Sequence, residues 1–322
     1  GLGVLRGRVL AASAALGCLT GGALLCGLLV GEWPLTAGEV LRLLREGPGG
    51  APGDPAASVL WSIRLPRTAA AFASGAVLAG AGVLFQAALR NPLAEPYALG
   101  VASGGAFGAA CAILLGLSAT APAAFAGSLG ALGLVWLLGR RGDATRMVLA
   151  GVVVGSLLGA ALTLLKALAG EKVAAIVLWL LGSFSGATWS QAALAAAGAG
   201  VCALVGLASW RELDILASGT QARALGVDEG RVRLRLLVGG SLGTSLVVSQ
   251  FGVVGFVGLV GPHLLRFCVG PGHRALLPLS LLGGGALLVL ADAGARCLEE
   301  LPVGVLTALL GGPLFCLILW RR

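Results

Sequence analysis

Apolar residues run through the chain in blocks of twenty or so, and most polar positions fall between the blocks. A bilayer core of roughly 30 Å takes about 20 mainly apolar residues in helical form, because only a helix satisfies its own backbone in hydrocarbon. That length predicts spans over 9–30, 64–89, 98–117, 121–139, 147–168, 190–209, 234–251, 252–270, 277–294 and 304–320. A shorter piece, 173–186, ends in Gly182-Ser183-Phe184-Ser185-Gly186 and is expected as a half-helix dipping in from the outer face. Gly252, Gly255 and Gly258 divide the stretch 234–270 into two spans. The pattern therefore predicts an all-α polytopic membrane protein, one transmembrane domain over 1–322 with ten crossings.

Two polar segments interrupt the pattern. The first, 31–63, carries Gly47-Pro48-Gly49-Gly50-Ala51-Pro52-Gly53-Asp54-Pro55 and is expected as an outer surface loop with one helical turn. The second, 210–233, places apolar residues at Leu213, Leu216, Ala222 and Leu225. Asp214 is expected to open one short helix, Gly219 to close it and Thr220 to cap a second. Two such helices at a membrane surface form a docking ledge, and structureless loops of this length are uncommon in compact proteins.

Composition sharpens the picture. Residues of the AVILMFWYC set make up 57% of the chain and charged residues 11%, which excludes a soluble enzyme and a disordered chain. The formal net charge of +8 is spread between hydrophobic blocks rather than massed, so it reads as topology and not as a nucleic-acid surface. With the N-terminus inside, 15 of the 22 Lys and Arg residues fall on the inner side, which satisfies the positive-inside rule and puts both termini in the cytoplasm. Residues 1–30 read as a retained first helix. The seven cysteines are never closer than eight positions and read as small apolar helix residues; with only two histidines, no metal site is expected.

The chemistry of the spans is sparse. Lys166 and Asp292 fall near outer helix ends and Glu95 in an inner loop, so no charge is expected at mid-depth, where an ion-coupled secondary transporter of small solutes normally carries one. That class, and a membrane subunit with a purely structural role, stand as the alternatives. No G-x-x-x-x-G-K-[ST], H-E-x-x-H or G-x-S-x-G occurs, so the chain is not expected to be an enzyme or to hydrolyse ATP itself. Energy for uphill transport would enter through another protein at 210–233. Gly151, Gly155 and Gly159 share one helix face and invite close approach of another backbone. Ser241, Thr244, Ser245, Ser249 and Gln250 in the seventh span require a protein partner or a wet cavity, which hints at a path.

Several motifs in register carry a resemblance. Ile63-Arg64-Leu65-Pro66-Arg67, Arg90-Asn91-Pro92-Leu93-Ala94-Glu95-Pro96, Leu181-Gly182-Ser183-Phe184-Ser185-Gly186, Ala222-Arg223-Ala224-Leu225-Gly226-Val227, Gly255-Phe256-Val257-Gly258-Leu259-Val260-Gly261-Pro262-His263 and Glu300-Leu301-Pro302-Val303-Gly304 resemble the FecCD/BtuC-type permeases. These are the membrane subunits of ABC importers for iron-siderophores, haem and cobalamin. The resemblance covers roughly 60–320, and the motifs are shared among permeases for all three cargoes, so the metal chelate carried stays open.

The resemblance implies the type II ABC importer permease architecture: ten transmembrane helices per subunit, a homodimer around a central path, and a place in the bacterial cytoplasmic (inner) membrane. It also implies two separate ABC ATPase subunits, which hold ATP and Mg while this chain binds no cofactor, and an extracytoplasmic substrate-binding protein. By the same resemblance Leu213, Leu216, Ala222, Leu225 and Gly226 make apolar contact with the ATPase, with Arg223 as a polar anchor. Arg64, Arg67 and Arg296 receive acidic side chains of the binding protein, Asn91, Leu93 and Thr145 form the cytoplasmic gate, and His263 is structural.

Overall fold

The computed structural model describes residues 2–49, 53–140, 143–218 and 226–320, and the described residues fold as helices and connecting turns. The helices are α1 Leu2–Leu29, α2 Ala37–Glu46, α3 Pro55–Ala88, α4 Val101–Leu114, α5 Thr120–Gly139, α6 Ala144–Leu168 and α7 Val173–Leu180. They continue with α8 Trp189–Ala208, α9 Trp210–Ser218, α10 Glu229–Phe251, α11 Val257–Val269, α12 His273–Cys297 and α13 Val303–Trp320. Seven of them, α1, α3, α5, α6, α8, α10 and α12, are long and apolar enough to cross a membrane; α4, α11 and α13 supply shorter apolar helices on the other expected spans.

α3 is the hub and packs against α8, α10, α11 and α12. Its sequence explains the position: Ala70, Ala71, Gly75, Ala79, Gly80, Ala81 and Gly82 leave the backbone bare, so neighbouring helices approach closely on several sides. A Cβ on Gly75 would fall on the carbonyl of Gly284 in α12, and one on Gly82 on that of Gly258 in α11. At the other end of the scale, α1 and α6 are largely exposed to the surroundings.

Several expectations need correction. Residues 31–63 are not a surface loop with a single turn. Thr36 and Glu39 close a reciprocal cap at the start of α2, and Val40 and Leu43 then seat that helix on Leu35, Ala57 and Leu60. Asp54 caps the start of α3, which runs through a π-helical turn, Val59–Arg64, and begins ten residues or so before the expected span.

The expected spans 98–117 and 252–270 are also shorter, because each is entered by irregular backbone. At about 1.5 Å per residue α11 covers only ~20 Å, and Gly252–Phe256 supplies the rest of its path. Such backbone survives at depth only when protein satisfies it. Here Tyr97 Oη donates to Val254 O (2.9 Å) and accepts from Val254 N (3.2 Å), while Glu95 Oε1 accepts from Phe256 N (3.2 Å). Ser183 N donates to Phe251 O (2.9 Å), tying the turn after α7 to the same strip. Gly252, at φ +77°, approaches the Trp179 carbonyl where a side chain would not fit. The half-helix itself, α7, ends at Leu180 rather than 186.

Most of the polar stripe of α10 is packed inside the chain. Ser241, Thr244, Ser245 and Ser249 are buried, and Thr244 Oγ1 and Ser245 Oγ turn back to the carbonyls of Gly240 (2.8 Å) and Ser241 (2.7 Å).

Candidate functional site

α3 and α12 run antiparallel, and charged groups gather at both ends of the pair. The end holding Arg67 and Asp292 is called the rim, and the end holding His273 the ledge face. The ledge is α9, which follows α8 after the single buried residue Ser209.

Leu213 and Leu216 are fully buried in the chain's own core, which corrects their expected role. They anchor the ledge from beneath and cannot offer apolar surface to a partner. Asp214 does not open the helix but sits within it, accepting the backbone N–H of His273 (2.9 Å) and lying 2.7 Å from His273 Nδ1. Glu212 meets Arg235 of α10 at 3.3 Å, and the guanidinium groups of Arg211 (5.1 Å) and Arg274 (5.6 Å) both lie over the Trp210 ring. The ledge is thus clamped to α10 and α12, and it leaves Arg211, Ala217 and Ser218 outward, with Gly226 exposed beyond at φ +75°. Ala222, Arg223 and Leu225, with the expected punctuation at Gly219 and Thr220, lie outside the described residues.

Beside the ledge, Arg90 at φ +50° ends the turn after α3 and pairs with Glu229 at the start of α10 (3.1 Å). Arg233 Nε donates to Ala88 O (3.1 Å), capping the carbonyl end of α3. Arg90, Arg140, Asp143, Thr145, Glu229 and Arg233 line one polar cleft of about 670 Å³. Thr145 is exposed there, one residue into a helix that Asp143 caps. Asn91 and Leu93 do not line this cleft. The Asn91 side chain accepts from Leu93 N (2.9 Å), which fixes the Asn-Pro-Leu turn and leaves Leu93 projecting into the open. Burial pushes the Glu95 carboxyl above the usual carboxylate range, against the opposing effect of the Phe256 N–H.

At the rim, the three arginines expected to face a partner are turned inward. Arg64 Nη1 donates to the carbonyls of Leu28 (2.6 Å) and Leu29 (2.9 Å), and Nη2 donates to that of Trp33. Arg296 Nη1 donates to Gly27 O (2.9 Å) and Val30 O (2.7 Å). Between them the two side chains satisfy the last carbonyls of α1, where the helix dipole is negative and no intrahelical donor exists. Arg67 lies between two carboxylates. Its Nε and Nη2 edge holds Asp292 at 3.0–3.2 Å, and its Nη1 and Nη2 end holds Glu300 at 2.9 and 2.7 Å. Arg296 Nε adds a 3.4 Å contact to Asp292. The side chains of Arg67, Asp292 and Arg296 are 8% exposed or less, whereas Glu300 is 40% exposed.

Of these partners, only the Asp292–Arg296 spacing of four residues was visible as a helical pair in the sequence. Asp292 and Glu300 as ligands of Arg67, and His273 as the mate of Asp214, join residues far apart in the chain and carry no local signal.

The glycine stripe of α6 divides. Gly151 packs so closely on Ala98 and Leu99 that a Cβ would meet the Ala98 carbonyl; Gly155 only approaches Ser103 Oγ (3.7 Å), and Gly159 faces open space. Leu149, Val152, Val153 and Leu157 are exposed on the same helix.

Comparison with known proteins fits this arrangement. The model of the FecCD transport family matches residues 19–321. The cobalamin import system permease protein BtuC of Halobacterium salinarum is 41% identical over 84% of this chain and 75% of its own length. The hemin transport system permease protein HmuU of Yersinia pestis is 38% identical over 82% of this chain and 84% of its own. Among solved structures, a chain described as an inward-facing metal-chelate type ABC transporter superimposes with TM-score 0.84 at 32% identity, covering 98% of this chain and 100% of that one.

Proposed function

The chain belongs to the FecCD transport family, and from that premise we propose that it is the membrane-spanning permease subunit of an ATP-driven importer of a metal chelate. It acts as a homodimer, each copy crossing a bacterial cytoplasmic membrane ten times with both termini inside. The ledge face is cytoplasmic and the rim extracytoplasmic, in line with the positive-inside distribution. ATP and Mg are held by separate ATPase subunits, and this chain works as a conduit.

The observation that carries the reading is the construction of the ledge. α9 is joined rigidly to the hub: Leu213 and Leu216 are sunk in the core, Asp214 holds the first residue of α12, and Glu212 holds α10. A push on its outward face is delivered to α3 and α12 rather than absorbed in a loop, and those two helices reach the rim. The cleft beside Thr145 and the Asn91–Leu93 turn lie on the same face and form the inner mouth, with Leu93 as an apolar plug. The second copy docks along α6, where Gly155 and Gly159 leave room for a backbone to come close.

On the outside, an acidic binding protein docks on the rim, where Arg67 is the cation nearest to release. The relatives' names include cobalamin and hemin, and a chelate of that class is the cargo proposed here. Purification of the tagged subunit from its native membrane tests the assembly. An ATPase subunit should be retained, and charge reversal at Arg211 together with Asp214→Ala should release it. Retention unaffected by both changes refutes the ledge as the coupling surface.

A further inference from the structure

Docking on the rim raises a difficulty that its geometry answers. Arg64 spends its Nη groups on the carbonyls of Leu28, Leu29 and Trp33, Arg296 donates through Nη1 to Gly27 and Val30 while its other nitrogens are buried, and Arg67 already carries two carboxylates, so no guanidinium presents a free, accessible donor to an incoming acid. We propose that Glu300 is an internal stand-in for the partner's carboxylate, and that docking proceeds by exchange of Glu300 for an acidic side chain of the binding protein on Arg67. The proposal deepens the docking reading given above and rests on it.

The two carboxylates on Arg67 differ in kind. Asp292 grips the Nε edge, is 1% exposed and sits on the rigid α12, so it holds the guanidinium plane in place whatever happens outside. Glu300 covers the outward Nη end, is 40% exposed and belongs to the short turn between α12 and α13. That turn is strained, since Glu299 and Glu300 stand at φ +54° and +58°, a region side chains rarely adopt, and successive residues there cost more than one. Arg67, Glu300, Arg64, Arg296 and Ser185 line one open pocket of about 270 Å³, so an entering side chain has room to reach the Nη end.

Exchange fits the energetics of a transient complex. Arg67 is never left without a carboxylate in a poorly solvated place, which would be costly. The incoming acid gains a bidentate, pre-oriented fork, and the departing Glu300 gains water and relief of its backbone. The free subunit is thereby guarded against stray anions. By the same logic the rim's affinity is lowered by the fraction of time that Glu300 occupies Arg67.

The test uses the whole transporter, permease with its ATPase, in nanodiscs, and compares Glu300→Gln with Glu299→Gln. Both remove one charge from the same turn, but only Glu300 touches Arg67, and Asp292 keeps Arg67 paired in either variant. Two quantities are read: affinity for the purified binding protein that supports uptake by the reconstituted transporter, and the rate at which phenylglyoxal modifies Arg67, followed by mass spectrometry. Glu300→Gln should tighten docking by about three- to tenfold and speed modification of Arg67, whereas Glu299→Gln should change docking by less than about twofold and leave modification alone. Equal effects of the two variants on both quantities would overturn the exchange while leaving rim docking intact. If docking is unmoved by Arg67→Gln while the labelling still responds to Glu300, the docking reading itself fails and the proposal falls with it.

Discussion

Arg64→Lys separates two roles that charge alone cannot distinguish. The substitution keeps a cation at the rim but removes the fork that reaches Leu28 O, Leu29 O and Trp33 O together. A hydrogen bond to a charged group is worth about 1.5–3 kcal/mol net, so three such bonds set a high ceiling. The realised loss is smaller, because an ammonium retains one bond and the last turn of α1 can fray toward water and rehydrate its carbonyls. About 2 kcal/mol is expected, with Arg64→Ala worse, since it also removes charge that complements the α1 dipole. Gly31→Ala should mimic the loss from the other side, because its Cβ would stand 2.8 Å from Arg64 Nη2 at φ +154°. The assay is reversible unfolding of the purified subunit in mixed micelles of rising SDS fraction, with docking affinity measured in parallel. A variant within about 0.5 kcal/mol of the native chain that nevertheless docks poorly would refute capping as the function of Arg64 and return it to the partner.

Four further outcomes follow from packing and charge. Gly82→Ala should destabilise by about 1–3 kcal/mol or more in the same unfolding assay, since its Cβ meets the Gly258 carbonyl; Gly159→Ala should leave the isolated subunit unchanged yet weaken association of two copies, read by cross-linking in membranes. Glu95 binds its proton more tightly in the folded chain, so the folded state loses stability as pH rises from the ordinary carboxylate pKa of about 4.3 through the raised one. Glu95→Gln keeps an acceptor for Phe256 N–H, and its stability advantage over the native chain should therefore grow across that window and then level off; a difference that is flat with pH contradicts the assignment. Asp214→Ala strips the acceptor from His273 N–H and Nδ1 at a cost of about 1–3 kcal/mol, and uptake should fall more steeply than ATP hydrolysis as the ledge loosens; unchanged uptake would count against the clamp.

Much of the architecture was legible because bilayer thickness imposes itself on sequence: the apolar blocks fall on apolar helices, seven of them among the described residues long enough to cross a membrane. The boundaries misplaced around 181–186 and 252–256 share one cause. Where Tyr97 and Glu95 satisfy the backbone of 254–256, or Ser183 that of Phe251, helix is replaced by irregular chain whose hydropathy is the same. Periodicity cannot see a hydrogen bond made across 157 residues.

The site was legible as a set of places but not of orientations. Leu213 and Leu216, three residues apart, mark one apolar face, and nothing local says whether that face looks toward a partner or the chain's own core; the observed burial decides for the core. Arg64, Arg67 and Arg296 share one end of the molecule, yet the donors that find partners go to carbonyls at and just past the end of α1 and to Asp292 and Glu300. An arginine's partner is set by tertiary packing, and a charged residue at a helix end looks the same in sequence whether it steers a partner or caps a neighbour.

If this chain conducts while another protein supplies the energy through the ledge, uptake of cobalamin or haem into proteoliposomes containing the subunit, an ATPase subunit and a binding protein should require ATP. It should stop when the ATP site of the ATPase is disabled, and it should not respond to an imposed ion gradient. Accumulation by the subunit alone on a proton or sodium gradient would make the chain a carrier with its own coupling instead.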